Sequence, residues 1–314
     1  MLSKVSVVTP SYGCPGALEK LVNQVERAID QFEGIKYEII IVNDRCPQNS
    51  WDEIIEICRR NSKVKGINFS RNFGQHYAIT AGLKAASGDA VIVMDCDLQD
   101  PPSLIPDLIK EYKKGFDMVL AKRMERKDGV KNRLMSFLFY KFLGYMTDTK
   151  QEQGIANYGI YSKKVVSSVL SMPEQTRLFP VMVRWVGFTS SIVEFEHEER
   201  HSGTSSYNFM SKLKLASDII ISFSEKPLWF MVKAGFSMSL ISALYAVYIV
   251  LAWLFNDTAV QGWTSVIVSI WLLSGFLITF LGVLGIYIGK VYAETKGRPL
   301  YIIDKKINFE GEAE

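Results

Sequence analysis

Asp95 and Asp97 stand one residue apart at the end of an apolar run, Val91-Ile92-Val93-Met94, and are followed by Leu98-Gln99-Asp100-Pro101-Pro102. Alternate residues of a strand point to the same side. A pleat that persists to the strand's end therefore aims both carboxylates one way. Two carboxylates converging at the carboxyl end of a buried strand suit a hard divalent cation, Mg²⁺ or Mn²⁺, which takes oxygen ligands and shares them with substrate phosphates. The same acids also suit a structural role, because Asp caps helices and one is expected to start near Ser103. Pro101 and Pro102 cannot donate to a ladder and end the strand.

The elements that must position these acids alternate regularly. Lys4 to Thr9 reads as a buried strand, and a helix follows from Pro15 to about Phe32 with Leu18, Leu21, Val22, Val25 and Ile29 on one stripe. Tyr37 to Val42 is a second strand, Trp51 to Arg60 a helix, Val64 to Phe69 a third strand and Gln75 to Ala86 a third helix. Gly88 then turns the chain into the strand that ends at Asp95. This alternation predicts a mostly parallel sheet with helices on both faces. Ligands of such sheets bind beyond the carboxyl ends of the strands, where Tyr12, Asp44 and the Asp95/Asp97 pair all fall. A helix cap at one strand does not explain polar groups at several.

Composition narrows the classes. A net charge of +3 over 314 residues is too small to argue for nucleic acid. The four cysteines, Cys14, Cys46, Cys58 and Cys96, form no C-x-x-C pair or disulfide framework, so reduced thiols in a cytosol-facing domain are expected. The three histidines lack zinc-site spacing, and no signal peptide is expected at the start. The first strand is not followed by G-x-G-x-x-G, and no P-loop occurs. A nucleotide held through carboxylates and a metal remains.

Val8-Thr9-Pro10-Ser11-Tyr12, Ile41-Val42-Asn43-Asp44, Asn72-Phe73-Gly74 and Asp95-Cys96-Asp97-Leu98-Gln99-Asp100-Pro101-Pro102 together resemble the inverting family-2 glycosyltransferases. Within them the chain is similar to the polyprenyl-phosphate group, the dolichol-phosphate-mannose-synthase-like enzymes. The resemblance implies a GT-A fold and a nucleotide-sugar donor. It places Pro10 and Tyr12 in the nucleotide pocket, Asp44 on the base or ribose, and Asp95, Asp97 and Gln99 on the metal. Asn43 stands where the family more often has Asp. Arg123 and Arg133 match arginines that face the phosphates. Arg200-His201-Ser202-Gly203-Thr204-Ser205-Ser206-Tyr207 resembles a loop that closes over the donor, with Arg200 on phosphate and Ser206 where relatives often carry Lys. Asn157-Tyr158-Gly159 matches the family too loosely to carry a role. Arg298-Pro299-Leu300-Tyr301 resembles a tail that folds back on the catalytic domain.

The rest of the chain points to a membrane. Helical stretches near 130–146 and 207–223 combine a wide apolar face with Lys and Arg, as interfacial helices do. Residues 234–255 and 263–289 are uncharged and long enough to cross a bilayer. Lysines and an arginine flank the pair, whereas the link carries only Asp257, so the positive-inside rule puts both ends in the cytoplasm. The expected organisation is a cytoplasmic catalytic domain over 1–225, a two-helix transmembrane hairpin over 226–290 and a cytoplasmic tail over 291–314. Gly285-Ile286-Tyr287-Ile288-Gly289 can bring helices close, within the hairpin or between protomers of a homo-oligomer.

A cytoplasmic nucleotide-sugar site tied to a membrane implies a lipid acceptor, and polyprenyl phosphate fits. The expected reaction is in-line attack of its phosphate oxygen on the anomeric carbon, with Arg123, Arg133 and Arg200 offsetting the meeting of two anions. Family habit favours UDP-glucose or UDP-N-acetylglucosamine. The rival readings are a catalytically silent nucleotide-sugar-binding subunit that recruits a flippase, and a processive polysaccharide synthase, for which two spans are few.

Overall fold

The computed structural model describes residues 2–124, 141, 144–146, 155–195, 224–256 and 262–309. It divides into two compact units: one holds 1–141, 149–205 and 298–314, the other 142–148 and 206–297.

The first unit is built on one sheet. Strands β1 (Lys4–Ser11), β2 (Lys36–Asn43), β3 (Val64–Phe69) and β4 (Ala90–Val93) alternate with helices α1 (Leu18–Ile29), α2 (Ser50–Arg60) and α3 (Gln75–Ala85). A short 3₁₀ turn leads into α4 (Ile105–Tyr112), then come β5 (Met118–Arg123), β6 (Ile155–Ser162), α5 (Lys163–Ser171), α6 (Phe179–Trp185), β7 (Ser190–Phe195) and, at the chain's end, β8 (Ile303–Ile307). The sheet order is β7-β5-β6-β4-β1-β2-β3-β8. Strands β6 and β8 run antiparallel to their neighbours, and the remaining pairings are parallel. The expected GT-A-like α/β architecture is present.

Strand alternation makes two cores. Val5, Val7, Ile39, Ile41, Ala90 and Ile92 face α1, α2 and α4, whereas Val8, Ile40, Val42, Val91 and Val93 face α3, α5 and α6. Side chains buried on both faces explain why these strands read as continuous apolar runs. Gly82 lets α3 lie close on β1, since a Cβ there would sit 2.3 Å from Val8 Cγ1. Element bounds differ from the sequence reading mainly at helix ends: the first helix starts at Leu18, because Gly13 and Gly16 take positive φ ahead of it.

The last strand completes the edge. β8 pairs with β3, the backbone N–H of Ser70 donates to Ile302 O at 3.0 Å, and Tyr301 stacks on Phe69 with ring centroids 5.1 Å apart. Asn308 Nδ2 donates to the carbonyls of Cys58 and Val64, each at 2.8 Å.

The second unit holds two long helices, α7 (Lys226–Asn256) and α8 (Trp263–Thr295). A Cβ on Gly235 would lie 3.9 Å from Phe280, and Tyr287 donates to the Ser224 carbonyl at 2.8 Å, so the start of α7 lies beside the later turns of α8. Residues 234–255 are helical as expected. Among the described residues, however, the one segment long and apolar enough to cross a membrane is Ser269–Thr295. Trp271, Ile278 and Leu281 there are exposed, and Gly285 and Gly289 have open space where a side chain would be. The expected interface helices near 130–146 and 207–223 lie almost wholly outside the described residues.

Candidate active site

The carboxyl ends of β1 to β4 surround a cavity of about 290 Å³ lined by Pro10, Tyr12, Asp44, Gly74, Gln75, Asp95 and Asp97, among others. Four strands and the turns after them thus deliver to one place residues that are far apart in sequence. A larger cavity, about 700 Å³, opens at the amino ends of the parallel strands beside Asp89 and Asp117. Those acids are occupied there: Asp89 accepts from the backbone of Ser3 at 2.8 Å, and Asp117 from the Thr189 hydroxyl at 2.9 Å. No motif residue reaches that side, so the smaller cavity is the candidate site.

The acid pair reaches the cavity by a route other than a continued pleat. β4 stops at Val93, Met94 makes one more ladder bond to Val8 O at 3.1 Å, and residues 96–100 form a turn with Leu98 at φ +60°. The turn, not strand alternation, brings the exposed Asp97 beside Asp95. The capping alternative also fails, because neither the 3₁₀ turn nor α4 receives a side-chain cap.

Asp95 is the centre of a polar cluster. Its Oδ1 accepts from Gln75 Nε2 at 2.7 Å, and Asn157 also hydrogen-bonds its side chain. Its backbone N–H donates to Oδ2 of Asp100 at 3.3 Å. Asp100 is fully buried, and its Oδ1 accepts from Arg123 at 2.8 Å. Burial, then the neighbouring carboxylates of Asp100 and Asp97, push the Asp95 carboxyl above the ordinary range, with Arg123 and Asn157 opposing. Asp100 is likewise raised by burial against the pull of Arg123. Crowded carboxylates around one guanidinium are relieved by a further cation.

Mg²⁺ or Mn²⁺ fits this donor set in one particular form. Among the described residues, no three His, Cys, Asp or Glu side chains gather as a full metal shell would need. Asp95 and Asp97 offer two carboxylates at a cavity rim, which is how Mg²⁺ is held when phosphates and water supply the rest. Gln99 is buried and lines the adjoining cavity with Asp97, and its backbone N–H donates to Asp97 Oδ1 at 3.1 Å.

Asp44 is nearly fully buried, with its two oxygens taking the N–H groups of Phe73 and Gly74 at 2.7 and 2.8 Å. Burial raises its carboxyl, and those two bonds offset part of the rise. Asp44 therefore holds the 72–74 turn that walls the cavity. Gly74 sits at φ +110°, a conformation that glycine accepts and other residues resist. Asn43 braces the same rim, donating to Asn68 Oδ1 at 2.8 Å and accepting from Cys46 N–H at 3.2 Å. Tyr12 is 53% exposed, leaving its ring free at the mouth. Arg133 and Arg200, with the loop to Tyr207, lie outside the described residues.

Sequence reasoning missed Gln75, Asp100 and the part played by Asn157. Gln75 directly follows the Asn72-Phe73-Gly74 motif and Asp100 lies inside the acid motif, so proximity to both was the available signal. The expectation of reduced thiols throughout is corrected: Cys14 and Cys96 form a disulfide, with Cα atoms 6.3 Å apart, while Cys46 and Cys58 are free. Their 82-residue separation left no spacing signal in the sequence.

A mostly parallel sheet with helices on both faces and carboxylates on its carboxyl rim defines a GT-A-like α/β enzyme. The chain belongs to glycosyl transferase family 2, whose model matches residues 6–168, and it is a glycosyltransferase. It is 38% identical to an uncharacterized glycosyltransferase, YkcC, of Bacillus subtilis (strain 168), over 97% of this chain and 94% of that one. It is 36% identical to the bactoprenol glucosyl transferase of Shigella phage SfII, over 96% and 98% of the two chains. The fold is similar to that of glucosyl-3-phosphoglycerate synthase from Mycobacterium tuberculosis, crystallised with Mn²⁺, UDP-glucose and phosphoglyceric acid. That match has a TM-score of 0.51 at 15% identity, covering 70% of this chain and 78% of that one.

Proposed function

We propose that this glycosyltransferase moves a hexose from a uridine-diphosphate sugar, UDP-glucose before UDP-N-acetylglucosamine, to a polyprenyl phosphate, with inversion. The observation that carries the reading is the likeness to a bactoprenol glucosyl transferase along nearly the whole of both chains, joined to the acid-rimmed cavity. Family members that share only a catalytic domain would not match through the C-terminal helices.

In this reading Pro10 and Tyr12 wall the uridine side, and Asp44 acts through the 72–74 turn that it fixes. Asp95 and Asp97 hold Mg²⁺ or Mn²⁺, with Gln99 supporting the Asp97 side. When bound, the ion supplies Lewis acidity and a template for the departing diphosphate. Gln75 and Asn157 orient the Asp95 carboxylate, and Asp100 fixes Arg123 at the end of β5. The acceptor phosphate oxygen attacks the anomeric carbon, and the bond to the nucleotide breaks with its electrons leaving on UDP. Arg123, Arg133 and Arg200 lower the repulsion between the two anionic partners. An ionised phosphate is already nucleophilic, so no strong general base is required of the chain.

The apolar segment Ser269–Thr295 supports a membrane anchor. We read α7 and α8 as a two-span hairpin, with the catalytic domain over 1–225 and the 291–314 tail both cytoplasmic. Gly285 and Gly289, open in the single chain, suit contact between protomers of a homo-oligomer.

The test is transfer from UDP-glucose to a short polyprenyl phosphate by the purified full chain, with the product read by mass. Glucosyl-phosphopolyprenol that disappears in excess chelator and in Asp95→Ala is the expected outcome. Undiminished product in either condition, or no product with any UDP-hexose, overturns the reading.

A further inference from the structure

The two sides of the candidate site are joined covalently. Cys14 lies in the turn after β1, two residues beyond Tyr12, and Cys96 lies between Asp95 and Asp97. Both line the same cavity as Tyr12 and Asp95. Cys96 is 5% exposed and packs into the core beside α1, with Cys14 partly buried against that core. The bond therefore forms part of the cavity wall, with Cys96 on its buried side.

The acid turn needs holding. Leu98 adopts φ +60°, a region that side chains larger than Asn rarely enter. The Gln99 N–H to Asp97 and Asp95 N–H to Asp100 bonds are internal to the turn. Gln75, Asn157 and Arg123 approach it at Asp95 and Asp100. At Cys96, next to the exposed Asp97, the tie is Cys14.

A third sulfur adjoins the turn after β1 that carries Cys14. Cys46 is buried, and its sulfur accepts the Gly13 N–H at 3.2 Å, one residue from Cys14. Burial would raise this thiol, but the Ser50 hydroxyl and then the N–H groups of Gly13, Gln48 and Ser50 bring it below its ordinary value.

We infer that the Cys14–Cys96 pair is a redox modification site, a reversible strap that holds the Asp95–Asp97 turn against the Tyr12 wall when oxidised and frees it when reduced. The inference rests on the reading that this cavity takes a nucleotide with a divalent cation. Disulfides in reducing compartments are usually transient and redox-sensing rather than structural. Opening uses a dithiol reductant. Its thiolate attacks one sulfur to give a mixed disulfide, and its second thiol expels the bound cysteine. Two electrons pass to the Cys14–Cys96 bond, both cysteines leave as thiols, and the reductant leaves as its own disulfide. The strapped turn is pre-organised, so the oxidised form grips the nucleotide more tightly.

The experiment poises the full chain in detergent across a series of oxidised and reduced dithiothreitol mixtures. Differential alkylation and mass spectrometry read Cys14 and Cys96, and calorimetry reads UDP binding in the presence of Mn²⁺. The expected result is a single two-electron transition of the pair, with UDP bound about tenfold more weakly in the reduced form, the scale on which supports of metal ligands act. Cys14→Ser should show the weak value at both extremes, and Cys58→Ser should follow the wild type. Free Cys14 and Cys96 at every poise, or equal UDP affinity in both forms, overturns the switch, and both readouts need only the wild-type chain. UDP binding to neither form, with the thiol transition intact, overturns the nucleotide reading and the switch's effect with it.

Discussion

Gln75 Nε2 donates to Oδ1 of Asp95 at 2.7 Å, tying the first turn of α3 to the acid just beyond β4. The bond fixes one carboxylate oxygen at the cavity, and Asn157 of β6 hydrogen-bonds the same carboxylate. Groups that orient a metal ligand typically carry about 10–100-fold of the metal affinity. Gln75→Ala is therefore expected to raise the Mn²⁺ concentration for half-maximal transfer by about tenfold, with the melting temperature little changed. An unchanged metal dependence would show that Asp95 is oriented without it.

Asp100 and Arg123 form a pair in which the carboxylate is fully buried and the guanidinium largely so. Removing one partner of a buried pair leaves an uncompensated charge and costs about 3–5 kcal/mol. Asp100→Ala should fall near the lower end, about 3 kcal/mol, because water still reaches part of Arg123. The double variant Asp100→Ala/Arg123→Met should recover part of that loss in a denaturant series, while transfer stays depressed.

Gly159 permits close contact between β5 and β6. A Cβ there would lie 2.6 Å from Val119 O and 3.3 Å from Leu120 Cα, both backbone atoms that cannot swing aside. Gly159→Ala is expected to destabilise by about 1–3 kcal/mol, as overpacking does. It should also lower turnover, since Asn157 and Arg123 are carried by those two strands. Loss of stability with full turnover would separate the strands' packing from the site.

Glu38 supplies a pH test away from the cavity. It is 2% exposed and accepts from the Ser6 hydroxyl at 2.6 Å, with Lys65 at 2.9 Å and Lys4 at 3.1 Å. Burial alone would raise its carboxyl, but Ser6, Lys65 and the backbone and hydroxyl of Ser87 outweigh that and bring it from 4.5 to about 2. A lowered folded value means stability that is complete above the unfolded value and lost as pH falls through the folded one. The contribution is about 3 kcal/mol at neutral pH. Wild type should be more stable than Glu38→Gln above pH 5, and the gap should close between about pH 4.5 and 2.

Much of the positioning of the site was legible because it follows from period and punctuation. Val64 to Phe69 has the same bounds in sequence and structure, and the acids at strand ends share one rim. What escaped depends on distance in sequence. Asp100 meets Arg123 across 23 residues, and Cys14 meets Cys96 across 82. β8 carries Asp304, Lys305 and Lys306, charges that suit an exposed edge and hide the apolar alternation of a strand. The early end of β4 was also hidden, because Met94 is as apolar as the strand before it and only the turn at Leu98 departs from the pleat.

β8 has a consequence for how the protein is made. The strand that closes the β3 edge is synthesised after α7 and α8, so the nascent catalytic sheet waits with one side open while the most apolar helices leave the ribosome. Domains that emerge early usually finish early; this one cannot complete its sheet until α7 and α8 have been made. The two apolar helices are thus made before the sheet is complete, and a chain stalled between the two would carry an unpaired strand edge open to other chains.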